Sequence, residues 1–240
     1  MISIRFATPD DAAELLEIYR PYVMDTAISF EYEVPSVTEF RVRIENIQKK
    51  YPYIVAVQES QNNNGYDGDT TQSETRPSDD TADDKAANKA ANKVCNAQPD
   101  VLDAGPDNHL SRIVGYAYAG AFNERSAYDW AVEMTVYVKK ECRKDGIGRK
   151  LYEEMEHILG KMNVLNLNSC IGYPVDDDDE HLTKNSAEFH AHMGYSMVGR
   201  FHKCGYKFGE WYDMVWMEKM IGEHQDAPKP FINVNDISWC

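Results

Sequence analysis

The chain has 240 residues, 25 Lys and Arg against 40 Asp and Glu, a formal net charge of −15 and 42% hydrophobic residues. That acidity repels phosphate backbones and anionic lipid, and no basic patch is dense enough to reverse it, which sets aside nucleic acid and membrane surfaces as main partners. No apolar run approaches the roughly eighteen residues of a membrane span, and Met1-Ile-Ser-Ile-Arg-Phe6 enters a strand pattern directly, so the chain is read as cytoplasmic.

The run from Ile2 to Ala7 alternates as a strand. Thr8-Pro9-Asp10-Asp11 then supplies a cap, a first-turn proline and acids facing the positive end of a helix dipole. Leu15, Leu16, Ile18 and Tyr19 form that helix's apolar stripe, and a second helix is predicted from Ser36 to Lys50. From about Glu59 to Ser111 the chain turns polar and acidic and holds too little apolar surface to offset its ordering entropy. It is read as an inserted, largely disordered loop, with a short helix-forming repeat from Ala86 to Lys93. Removing it joins Tyr53–Gln58 to Arg112–Ala119 as a hairpin. A strand from Trp130 to Val138, a helix from Gly146 to Met162, a strand from Val164 to Ile171 and a short helix from Ser186 to His192 follow. Strands from Tyr195 to His202 and from Trp211 to Met220 complete the pattern. The order β-α-α-β-β-β-α-β-α-β-β implies a mixed sheet with helices on its faces, an α/β (α+β) domain spanning 1–222, interrupted by 59–111 and followed by a tail at 223–240.

Cys95, Cys142, Cys170, Cys204 and Cys240 are odd in number and widely spaced, which fits neither a disulfide framework nor a zinc site. Reduced thiols and no metal are expected. The acidic run Asp176–Glu180 is read as a solvated loop.

The central motif is Arg143-Lys144-Asp145-Gly146-Ile147-Gly148, set between the strand ending at Val138 and an amphipathic helix. Its glycines let the backbone curl so that N–H groups converge on an anion at the helix's positive end, a geometry suited to a pyrophosphate. Alone the pattern is weak. The P-loop and dinucleotide fingerprints, with their lysine and third glycine, are both absent.

Arg-x-x-Gly-x-Gly after Glu133-Met-Thr-Val-Tyr-Val138 resembles the acetyl-CoA motif of the GNAT superfamily, whose usual form is Gln/Arg-x-x-Gly-x-Gly/Ala. The chain is most similar there to the phosphinothricin and methionine-sulfoximine acetyltransferases. Ile4–Asp11, Tyr116–Gly120, Arg125–Glu133, Phe189-His190 with Gly194-Tyr195, and Gly205–Asp213 carry that likeness. The resemblance implies a GNAT fold, its mixed central sheet splayed at the middle with helices on both faces. It implies acetyl-CoA as co-substrate and transfer of its acetyl group, by direct attack, to a small-molecule amine. A protein or peptide N-terminal acetyltransferase, or a non-catalytic acyl-CoA-binding module, are the alternatives. Relatives that resemble the chain are commonly dimers, which allows a homodimer.

The same resemblance assigns residues. Glu133 matches the proposed general base, although an exposed strand carboxylate is its plain alternative. His190 matches a histidine near the reacting centre, although His192 dilutes that signal and lone histidines are often structural. Backbone of Val136, Tyr137 and Val138 would meet the pantetheine arm, and Arg143, Lys144, Asp145, Gly146, Ile147 and Gly148 the pyrophosphate. Asn185, or else Thr183, stands for an asparagine beside the pantetheine. Phe30, Arg125 and Tyr128 match the substrate pocket, where Arg125 would grip a carboxylate. Asn123 departs from a lysine typical of the herbicide-detoxifying members, which puts phosphinothricin itself in doubt.

Overall fold

The computed structural model describes residues 1–59, 111–176 and 178–238. The alternating N-terminal run is strand β1 (Ile2–Phe6). Thr8 and Asp11 close a reciprocal capping box around a 3-10 turn, Pro9–Asp11, that leads into helix α1 (Ala12–Asp25). Ser36 and Glu39 make a second capping box, so helix α2 (Val37–Gln48) begins one residue after its cap. Strands β2 (Tyr53–Glu59) and β3 (Ser111–Ala121) pair antiparallel up to Glu59 and Ser111, the hairpin expected from joining those segments. The reading of the segment between them, with its helix-forming repeat and Cys95, lies outside the described residues, as does Cys240.

Strand β4 (Ala131–Val138), helix α3 (Ile147–Lys161), strand β5 (Asn166–Tyr173), helix α4 (Asn185–His192) and strands β6 (Ser196–Lys207) and β7 (Glu210–Met220) complete the order. Most boundaries shift by a residue or two from the sequence reading, and two of the shifts have a clear local cause. Asn163 takes a left-handed φ of 65° just past α3, so Val164 and Leu165 belong to the connection and β5 begins at Asn166. Strand β6 runs on to Lys207, across an irregularity between Phe201 and Gly205, because Lys203 turns to φ 49° and gives its N–H to buried Asp213 at 2.7 Å. Phe208 and Gly209, both at positive φ, make a tight two-residue turn into β7.

The seven strands lie in the order β1-β2-β3-β4-β5-β7-β6. Alternation sorts the core onto two faces. Tyr53, Val55 and Val57 of β2 pack with Leu15, Leu16, Ile18 and Phe40 under α1 and α2. Ile54 and Ala56, with Val132 and Met134 of β4, meet Leu151, Met155 and Ile158 of α3 on the other face. Among the described residues no helix is long and apolar enough to cross a membrane.

One junction departs from full pairing. Strand β4 pairs with β3 from Val132 to Val138, and β5 pairs with β7 along all of Asn166–Tyr173. Between them β4 and β5, the parallel pair, match only from Ala131–Glu133 to Asn166–Asn168. Beyond Glu133 and Asn168 the strands part.

The C-terminal end of α1 bridges the parted strands. On one side the Tyr22 hydroxyl reaches the backbone of Val138 and Lys140 pairs with Asp25 at 2.7 Å. On the other, Lys207 is 3% exposed and its ammonium donates to the carbonyls of Val23 (2.7 Å), Thr26 (2.9 Å) and Ser29 (2.6 Å). These oxygens at the negative end of α1 act as the buried cation's partners. Burial pushes the Lys207 ammonium below its ordinary pKa.

Among its described residues the tail after Gly222 holds only the 3-10 turn Val234–Asp236 as regular structure, yet it is packed. Val234 is buried, Phe231 meets Tyr51, Trp130 donates to the carbonyl of Lys229, and Asn233 and Asn235 bond the last carbonyls of α2. Replacing Lys207 by Met should cost about 3 kcal/mol, since it strips three buried carbonyls of a charged donor. Chemical denaturation of both proteins measures the difference.

Candidate active site

Which backbone groups face the gap follows from register. The Lys139 N–H bonds the Val114 carbonyl, so Lys139, Tyr137 and Thr135 turn their backbone groups toward β3, while Val138 and Val136 turn theirs toward the gap. The Asn168 side chain, donating to the Val132 carbonyl at 3.2 Å, marks the same edge. Val138 is engaged there by Tyr22, whose hydroxyl donates to its carbonyl and accepts from its N–H. Val136 lies beyond the last β4–β5 pair, with its N–H and carbonyl facing the opening. Of the three residues expected along a pantetheine arm, Val136 therefore presents its backbone outright. Tyr137 contributes its backbone to the β3 ladder, and its ring packs among Tyr19, Tyr22 and Tyr116 at 4.8 to 5.4 Å between centroids.

At the end of β4 the chain turns through Lys140–Cys142, where Cys142 is buried. Arg143 is extended, and Lys144 (φ 71°) and Gly146 (φ 77°) are left-handed. A lysine held there costs on the order of 1–3 kcal/mol, a strain typical of ligand sites. The N-cap of α3 is Gly146, which brings no side chain to the first-turn N–H groups, a helix start suited to an anion. Arg143, Lys144, Asp145 and Gly146 are exposed around them. Ile147 differs: its side chain is buried against Gly115 and Leu151, so only its backbone can serve the site. At Gly148 a Cβ would come 3.3 Å from Phe189 of α4, so the glycine lets the two helix starts approach. The Arg143 guanidinium stacks over the Tyr22 ring at 4.9 Å, joining the loop to the α1 bridge.

Asn185 is exposed as the first residue of α4, and Lys184 before it lies over the Tyr173 ring at 5.6 Å. His190 is elsewhere. It is 4% exposed, its Nδ1 donates to the Ser186 carbonyl at 2.7 Å, and its Nε2 accepts from the Tyr152 hydroxyl at 2.7 Å. Phe189, Tyr152 and Tyr195 surround the ring edge to face. Burial lowers its pKa, and both nitrogens are committed within the core. The residue expected near the reacting centre thus has both ring nitrogens hydrogen-bonded within the core.

Glu133 sits at the last β4–β5 pair, on the face that carries Thr135 and Tyr137, with Asn168 beside it on β5. Burial alone raises its carboxyl pKa above the ordinary 4.5. Tyr118 lies nearby, its hydroxyl pushed to about 12 by burial. On the same face a cleft of about 650 Å³ opens, lined by Phe122, Tyr128, Trp130, Asn168, Trp216 and Glu218 among others. Tyr128 is thus at the cleft. Arg125 is exposed, just before the 3-10 turn Ser126–Tyr128. Phe30 packs elsewhere, against Gly172, Gly205 and Tyr212, where a Cβ on Gly205 would come within 2.5 Å of its ring.

Tyr22, Lys207 and the tail residues escaped the sequence reading. Tyr22 continues an apolar stripe, and nothing in the pattern separates its hydroxyl from that of a core tyrosine. Lys207 lies in the matched Gly205–Asp213 segment, the one available signal.

The acetyltransferase (GNAT) domain family model matches residues 4–72 and 108–216. The phosphinothricin N-acetyltransferase of Streptomyces viridochromogenes is 25% identical over 236 residues, 98% of this chain and 96% of that protein. The L-methionine sulfoximine/L-methionine sulfone acetyltransferase of Salmonella typhimurium is 25% identical over 112 residues, 47% of this chain and 61% of its own. In structure, a GNAT superfamily phosphinothricin acetyltransferase from Sinorhizobium meliloti in complex with AcCoA gives a TM-score of 0.65 at 22% identity, covering 97% of this chain and 98% of that one, a likeness of fold.

Since His190 is buried neutral, its folded pKa lies below the unfolded value of about 6.5. Its contribution to stability is full above that value and should be lost as pH falls from there through the folded pKa. His190→Gln should remove this slope from denaturation curves recorded between about pH 4 and 8.

Proposed function

The chain belongs to the GNAT acetyltransferase family, with acetyl-CoA as its co-substrate, and from that premise we propose that it acetylates the amine of a small amino acid or analogue by direct attack, with Glu133 as general base. The observation that carries this reading is the position of Glu133, a carboxylate set where β4 and β5 begin to part and made more basic by burial alone. An ammonium must lose a proton before its nitrogen can attack, and a carboxylate of raised pKa accepts that proton more readily than an exposed one.

The remaining parts suit the same chemistry. The uncapped start of α3, with Arg143 and Lys144 around it, offers N–H groups and positive charge to a pyrophosphate. The gap-facing backbone of Val136 offers a donor and an acceptor to an extended amide chain, and such an N–H also stabilises an oxyanion as an amine adds to the thioester carbonyl. Collapse of that adduct breaks the C–S bond and releases the thiolate of CoA, while the amine's second proton leaves through Glu133 or water. Arg125 would take the acceptor's carboxylate as a planar two-pronged donor, with Tyr128, at the cleft, flanking it.

Thiol release from acetyl-CoA should appear with amino-acid analogues, methionine sulfoximine among them; silence across the whole panel overturns the reading. Glu133→Gln should lower kcat about 100-fold while leaving acetyl-CoA affinity, measured by calorimetry, near that of the parent. The acid limb of the pH–kcat/KM profile should lie above pH 4.5 and vanish in that variant.

A further inference from the structure

The cleft beside Glu133 has chemically distinct walls. Its volume of about 650 Å³ suits a small ligand. Phe122 packs edge to face on Trp216 at 5.6 Å and lies 6.0 Å from Tyr128, so one side is a continuous aromatic surface. Among the described residues no lysine or arginine lines it, and its one carboxylate is Glu218, paired across the sheet with Asn168, which in turn stands beside Glu133. An anionic group entering the cleft meets Glu218 with no cation to offset it.

The far wall comes from the C-terminal segment. His224, Gln225 and Pro228 line the cleft. They are held by the bond between His224 Nε2 and Asn166 Oδ1 (2.7 Å) and by donation from Trp130 Nε1 to the Lys229 carbonyl (2.7 Å). The tail thereby limits the length of whatever the cleft holds. Ala131, also in the lining, lies two residues before Glu133 on the same face of β4. An acceptor with its amine at Glu133 and its carboxylate at Arg125 would direct its side group along these walls.

We propose that the acceptor carries an aromatic or other uncharged apolar side group, bound in the cleft of Phe122, Tyr128 and Trp216 with the C-terminal segment as its end wall, and that Glu218 excludes acceptors with an anionic side group. This rests on the acetyltransferase reading above and narrows it. Phosphinothricin, whose side group is an anionic phosphinate, is a poor acceptor on this account.

The test is kcat/KM of the full chain, at saturating acetyl-CoA, for phenylalanine, tryptophan, glutamate and phosphinothricin. The aromatic acceptors should exceed the anionic ones at least tenfold. Glu218→Gln should raise the anionic-to-aromatic ratio severalfold, and Glu218→Lys further. Trp216→Ala should lower kcat/KM for tryptophan at least tenfold relative to alanine as acceptor. Equal or better turnover of the anionic acceptors by the parent protein, or an unmoved ratio in folded Glu218 variants, overturns the proposal while leaving the acetyltransferase reading standing. Absence of turnover with every acceptor sinks that reading instead. The parent protein's preference decides the matter even where a variant does not fold.

Discussion

The architecture of the site depends on three residue pairs. Strands β4 and β5 are joined only between Ala131–Glu133 and Asn166–Asn168, while β4 pairs with β3 from Val132 to Val138 and β5 with β7 along its whole length. A sheet whose central strands part in this way leaves backbone donors and acceptors unpaired inside a domain, where they need partners. Val138 finds one in Tyr22, and Val136 lies beyond the last pair with its backbone toward the opening. Glu133 stands at the vertex, which is why a carboxylate in an otherwise apolar strand is half-buried without being sealed in the core.

Parted strands need a brace, and α1 supplies it. Its last turn is tied to the β4 side by Tyr22 and Asp25 and to the β6–β7 turn by Lys207. The buried ammonium is neutralised by the carbonyls that a helix end leaves over, so the charge and the dangling acceptors satisfy one another. Because Arg143 stacks on Tyr22, the brace also reaches the anion-facing loop at the start of α3.

Charge is distributed to match. The chain as a whole is strongly acidic, yet Lys139, Lys140, Arg143, Lys144, Arg149 and Lys150 cluster about the uncapped end of α3, interrupted by Glu141 and Asp145. A polyanionic ligand is drawn to that end, whereas the cleft on the opposite side of the vertex offers aromatic surface and a carboxylate. The two halves of the site therefore favour chemically different ligands.

Much of this was legible in the amino-acid sequence. The order of strands and helices, the hairpin around the long polar segment, the turn at Arg143–Gly148 and the facing of Glu133 all follow from local rules, namely periodicity, capping and glycine at left-handed φ, which need only neighbours in the chain. The likeness to the acetyltransferase family rested on the residues of that turn and of the matched segments, and the family model bears it out. Contacts between distant segments were decided by tertiary structure alone. Two histidines two residues apart look alike in sequence, and only packing shows His190 hydrogen-bonded to Tyr152 inside the core. Phe30 and Tyr128 are both aromatic candidates, and only the fold sends one against Gly205 and the other to the cleft. The tail reads as an ending because its apolar residues are sparse and aperiodic, yet Phe231 and Val234 dock and His224 and Pro228 become a wall. The sequence by itself determined the order of the elements and the likeness to the acetyltransferase family, since both rest on local pattern and residue identity; only the fold decided what each side chain can reach, since reach is set by contacts between residues far apart along the chain.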